Sequence, residues 1–312
     1  MLLTIHRSPF CEKEEITLRI STIITDMLLH PHPSVEVVVQ EVNQLYLQWS
    51  QQNLEEELGR DESSFLWWLW TEFWFIVPQI PYHSPAQEIS VKFAAAKQDV
   101  HDDLDRKWRV LDDFGMAAWE AQNDTEQGTQ EEINLYSFSA KLTRDSIRDF
   151  STWTIYSFRD ILEDEPSPTA PAWWRAQATQ KGAPRIDARL PVAALWIDII
   201  GEKLLRSDQY RGSGAKGVGT WKGKKAGFCL ERWRLWKRRF EEISVDKHVS
   251  EKTRGIAKRT WERLGVIEGE NMDIIERAEI FAEWMVDFDP SAFGSWAYDP
   301  EAGRRRGKKR KN

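Results

Sequence analysis

The sequence predicts an all-α fold, an irregular antiparallel helical array of the bundle or short-solenoid kind, and three observations predict it. Apolar residues recur at spacings of three and four along most of the chain, and no run alternates with the period of two that a half-buried strand needs. Proline- and glycine-rich punctuation separates these periodic stretches. Over 312 residues, 41% hydrophobic and 30% charged content describes a globular chain able to bury a sizeable core.

The first two helices are expected over 13–29 and 34–58. His30-Pro31-His32-Pro33 separates them, Ser34 can cap the second, and Gly59 ends it. A third helix, 63–77, has Asp61, Ser63 and Ser64 as capping groups and stops at Pro78, where Pro78, Pro81 and Pro85 mark a loop. Helices follow over 86–121, 131–143 and 145–163. A connection over 164–189 then holds "PSPTAPAWW" and "ATQKGAP". The remaining helices are expected over 190–206, 228–243, 249–265 and 271–286, with "RGSGAKGVGTWKGKKAG" inside a second connection, 207–226. Both connections read as surface segments able to cover a groove. One domain over 10–290 and a disordered tail over 291–312 account for the chain.

The third helix contains "FLWWLWTEFWF", four tryptophans and three phenylalanines in residues 65–75. At roughly 1.5 Å per residue it is too short for the ~30 Å hydrocarbon core of a bilayer. At 100° steps Leu66, Leu69, Trp70, Phe73 and Val77 share a wide face with Trp67 and Trp74 at its edge. Thr71 and Glu72 lie opposite, and Trp68 and Phe75 fall between. Three readings stand: a buried core helix, an aromatic ligand or peptide site using Trp68 and Phe75, and membrane insertion. A helix apolar nearly all round is first of all a central one.

The second half carries recognisable segments. "INLYSFSAKLT" (133–143) is followed by "SFRDILE" (157–163), "LPVAALWIDIIGEKLL" (190–205), "GFCLERWRLWKRRFEEI" (227–243) and "SEKTRGIAKR" (250–259). In that order they resemble the fungal family of uncharacterised helical proteins catalogued as domain of unknown function 3632, best over 119–265. The most specific pieces are Asn134-Leu135 with Phe138 and Leu142-Thr143, and Arg232-Trp233 with Trp236-Lys237 and Phe240. Tyr136-Ser137 departs from the more Asn-Ala-like pair of the family, and the basic tail lies outside its pattern. The resemblance implies a fungal source and a helical fold, and it brings no catalytic residues with it. The residues agree with a structural role: Trp233, Trp236, Phe240 and Ile243 form one apolar stripe, flanked by Arg232, Lys237, Arg238 and Arg239, whose stems can lie across apolar surface.

Chemical signatures are weak. Gly217 to Gly223 leaves five intervening residues, Gly219 to Gly223 leaves three, and Lys224 is followed by Lys225, so the glycine-rich segment is not a phosphate loop. His101-Asp102-Asp103 would need partners such as His83 and Asp145 or Asp160 to hold a metal, and nothing in the spacing selects them. No nucleophile elbow, H-E-x-x-H or dinucleotide fingerprint occurs. Cys11 and Cys229 stand far apart without a redox or metal motif, and read as reduced thiols. No catalytic residue, metal or cofactor is therefore expected.

Charge is divided along the chain. From Arg211 to the end 24 Lys and Arg face 16 Asp and Glu, a net +8, while the whole chain carries −7. The end itself, "GRRRGKKRKN", gathers Arg304, Arg305, Arg306, Lys308, Lys309, Arg310 and Lys311. It reads as an import signal, an anion-binding arm or a solubilising tail. No secretory leader or spanning segment is read from the sequence, which places the protein in nucleus or cytoplasm. The function expected is a non-enzymatic scaffold with a protein partner, and an import receptor or nucleic acid would meet only the tail. The alternative is a helical enzyme or small-molecule binder with Trp173, Trp174 and Trp221 facing a ligand beneath the two long connections.

Overall fold

The structure, a computed structural model, describes residues 4–6, 8–9, 15–30, 34–55, 62–98, 112–163, 185–207, 221, 227–277 and 279. Among these the all-α expectation holds: every regular element is helical and none is a strand. In order they are α1 (Glu15–Leu29), α2 (Val35–Glu55), α3 (Glu62–Ile76), a 3-10 turn (Val77–Gln79), α4 (Pro85–Gln98), α5 (Asp112–Asp124), α6 (Gln130–Arg144) and α7 (Ser151–Phe158). A π turn (Arg159–Glu163) continues α7, and α8 (Arg185–Leu205), α9 (Leu230–Val245) and α10 (Glu251–Glu270) follow. No described helix is long and apolar enough to cross a membrane.

The chain divides into two compact units, Met1–Ile267 and Glu268–Asn312. In the second, the Asn271 amide donates to the Glu268 carbonyl and residues 272–277 are helical. The expected domain end at 290, the tail and His101-Asp102-Asp103 lie outside the described residues.

The first unit is organised around α3. This helix packs on α1 and α5; α2 packs on α1 and α4; α6 packs on α8, which also holds α7; and α9 packs on the π turn. Phe65, Leu69, Phe73 and Trp74 are fully buried and Trp70 nearly so. Trp70 meets Phe114 of α5 edge-on at 4.9 Å between ring centres, Phe73 meets Phe93 of α4 at 5.5 Å, and Trp74 meets Phe138 of α6 at 5.2 Å. Such pairs contribute about 0.5–1.5 kcal/mol each beyond the area they bury. The aromatic run is thus the hub of the core. A second cluster, Phe158 with Trp236 at 4.7 Å and Phe228 with Trp236 at 6.0 Å, joins α9 to the end of α7.

Several boundaries differ from expectation, each for a local reason. The helix expected over 86–121 is helical over 85–98 and again over 112–124, and 99–111 lies outside the described residues. The helix expected from 145 begins at 151, because α6 ends in a reversal. The Ile147 amide reaches back to the Leu142 carbonyl and the Ser146 amide to that of Thr143, with Ser146 at φ 60°. Finally, α8 begins at Arg185 and runs through Pro191, although the missing N–H suggested a start near that residue.

Candidate functional site

A groove of about 660 Å³ runs along the outer side of α3. Its walls are Trp67, Trp68, Thr71 and Phe75, one helical turn apart in pairs, and its floor includes Trp74, Pro78 and the small residues Ala117 and Ala121 of α5. Successive residues of α3 therefore serve two sides, with Trp70 and Phe73 turned into the core and Trp68 and Phe75 into the groove. Phe75 is 37% exposed, the level of a residue walling an open cleft and not of one filling a core.

The ends and rim are polar. Gln79 fixes the N-terminal segment in both directions: its Oε1 accepts from the His6 amide at 2.6 Å and its Nε2 donates to the His6 carbonyl at 3.0 Å. The exposed Glu120, Asp124 and Glu131 line the groove too, so among the described lining residues three exposed carboxylates stand against one imidazole, that of His6. Within the wall is a fourth, Glu72, only 2% exposed. Its Oε1, the Thr71 hydroxyl and the Trp74 indole N–H are all buried without a hydrogen-bond partner.

Glu72 is distinctive by comparison. Among the described residues three carboxylates are buried, and the other two are satisfied. Glu163 accepts from Arg232 Nε at 2.7 Å and Nη2 at 3.0 Å, and from Trp236 Nε1 at 3.0 Å, while Arg232 Nη1 donates to the Gly227 carbonyl at 2.7 Å. Glu132 lies 3.2 Å from Arg189 Nη1 and accepts from the Gly128 amide at 2.7 Å. Burial still pushes its carboxyl above the ordinary value, against the pull of Arg189 and that amide. Among the described residues, Glu72 meets no cation and its Oε1 accepts no hydrogen bond.

The segments that carried the resemblance build scaffolding, not the groove. Asn134 donates to the Pro78 carbonyl at 2.8 Å and accepts from the Tyr82 amide and Gln130, both at 3.0 Å. Gln87 donates to the Asn134 carbonyl at 2.8 Å and accepts from Ser137 Oγ at 3.0 Å. Together they tie the proline loop to α6, and Ser137 of the departing Tyr-Ser pair takes part. Thr143 closes the other end of α6, donating to the Ser139 carbonyl and accepting from the Phe150 amide, both at 2.9 Å. Arg232, expected to lie along the flank of an apolar stripe, is fully buried instead, because Glu163 supplies a counter-charge 69 residues away.

A family model described as "Protein of unknown function (DUF3632)" matches residues 70–240. The chain belongs to this family. No curated protein and no solved structure matches it. The DUF3632 segment begins within α3 and ends at Phe240 of α9. It contains both buried ion pairs, α5 and the Thr71–Gln79 part of the groove, and it leaves out Trp67, Trp68 and His6.

The structure separates the residues nominated from sequence. Trp68 and Phe75 stand in the groove. Trp221 is 5% exposed and its ring lies 6.0 Å from the Arg232 guanidinium, beside the Glu163 pair. Trp173, Trp174 and the basic residues 304–311 lie outside the described residues. His83 and Asp145 are exposed, and no group of three His, Cys, Asp or Glu is placed to hold a metal among the described residues. Sequence reasoning passed over Glu72 and the alanine floor. The signal for Glu72 was a lone carboxylate in an apolar run, set with Thr71 opposite the wide apolar face. No local pattern marks Ala117 and Ala121, whose role depends on the packing of α5 against α3.

Proposed function

We propose that this DUF3632 protein is a small-molecule-binding helical protein whose ligand lies in the groove along α3. The observation supporting this reading is the groove itself: about 660 Å³, within the ~300–1,000 Å³ of ordinary ligand sites, with aromatic walls and a few convergent polar groups. A ligand here would stack on Trp67, Trp68 and Phe75, side chains that lose little conformational freedom when it binds. The neutral dye Nile red provides the test, because its emission rises in an apolar site. Wild-type protein should bind it saturably at one equivalent, and Ala121→Phe, which fills the floor, should weaken binding at least ~10-fold, as a blocked pocket requires. Absence of saturable binding by the wild type would sink the reading whatever the variant does.

The scaffold role is the second reading. It is favoured by Met116 and Trp119, each 57% exposed and one turn apart on α5. Their pairing would suit an apolar anchor on a partner protein. A stoichiometric protein partner that Trp119→Ser releases, in native purification, is its test. Nuclear entry through Arg304–Lys311 also belongs among the proposals, and rests on the charge run alone.

A further inference from the structure

Resting on that groove, we infer that its ligand class is an organic ammonium ion, a protonated amine on an aromatic or apolar body, with Glu72 as its counter-charge. The inference stands on the contrast among the three buried carboxylates. A charge removed from water without a partner is strongly unfavourable, and proteins satisfy such groups with ion pairs and hydrogen bonds. Glu163 and Glu132 follow this rule through Arg232 and Arg189. Among the described residues Glu72 does not, yet it lines the groove along α3. An ammonium seated against that lining, met by a turn of the carboxylate whose Oε1 is otherwise buried, supplies a counter-charge and a donor.

The surroundings point the same way. Trp67, Trp68 and Phe75 present π faces, which attract cations when water is excluded. Glu120, Asp124 and Glu131 at the rim add negative potential that draws cations in and disfavours anions. Among the described lining residues His6 is the single basic side chain, and it is exposed. Among the described residues, a phosphate, carboxylate or sulfonate ligand would find no cation beside Glu72.

Competition against bound Nile red at pH 7 tests this with two nearly isosteric compounds, 2-phenylethylamine and neutral 2-phenylethanol. The amine should displace the dye at a concentration lower by about tenfold or more, the size expected of one charge-assisted contact in a partly dry site. In Glu72→Gln the dye should still bind and the preference should fall to near unity. This variant keeps the volume and polarity of the side chain, so it should fold. Should it fail to fold, the wild-type comparison alone still decides. Equal displacement by amine and alcohol in the wild type, with the dye bound saturably, overturns the cation assignment and leaves the groove reading standing. A preference kept intact in Glu72→Gln overturns the role of Glu72. Failure of the wild type to bind the dye overturns both.

Discussion

Arg232 and Glu163 are both fully buried, and the pair survives because it is complete. The carboxylate takes two guanidinium N–H groups and one indole N–H; the guanidinium also reaches the Gly227 carbonyl and lies 5.4 Å from the Trp236 ring centre. Such a pair adds little net stability over apolar residues of the same shape, while removal of one member strands the other. Glu163→Gln should therefore cost about 3 kcal/mol in urea unfolding, and Arg232→Met with Glu163→Leu together should cost far less than the two single losses added. A loss below ~1 kcal/mol for Glu163→Gln would mean that water reaches the guanidinium. Residues of this kind were the least legible in the sequence. Arg232 sits among basic neighbours on α9, and only a fold that returns the π turn to that helix shows why it is buried. Glu72 was placed only as opposite the wide apolar face, since helical spacing tells which side a residue is on but not what lies beyond it.

Helices themselves were legible because their determinants are local. Ser34 caps α2 as its position suggested, with its Oγ 3.4 Å from the Val37 amide, and the wide apolar face of α3 is the buried one. The ends of α6 show what a local reading can reach and what it misses. At its start Thr129 Oγ1 accepts the Glu132 amide at 3.1 Å, and Glu132 answers through the Gly128 amide, a reciprocal cap on a buried turn. Thr129→Ala should lower stability by about 1 kcal/mol in thermal melts, and Thr129→Ser should restore most of it. Its far end is a reversal formed by Ser146 in the left-handed region, a serine where glycine is usual. Nothing in the sequence marks that turn, because the conformation is held from outside: Lys203 of α8 donates to the Thr143 carbonyl at 2.5 Å and to Ser146 Oγ at 3.0 Å.

At the scale of the molecule, an all-α array followed from periodicity, whereas the pairing of helices did not. That α3 meets α5 while α6 meets α8 depends on side chains far apart in sequence. The groove shares this origin. Trp68 and Phe75 could be named as candidates from their angular position, but the cleft exists only because the alanines of α5 and the His6 segment border them. Charge placement is a whole-chain property too, with seven basic residues gathered in Arg304–Lys311 against a net −7. Deletion of 303–312 should shift a fluorescent fusion from nucleus to cytoplasm in cell imaging; an unchanged nuclear signal would rule out import through this run. The double use of α3 has an evolutionary consequence. A helix with one face in the core and another lining a cleft has no neutral side on which substitutions can accumulate. Drift is left to elements such as α2, where Val37 and Leu47 are half exposed, and α3 should be among the slowest segments of the chain to diverge.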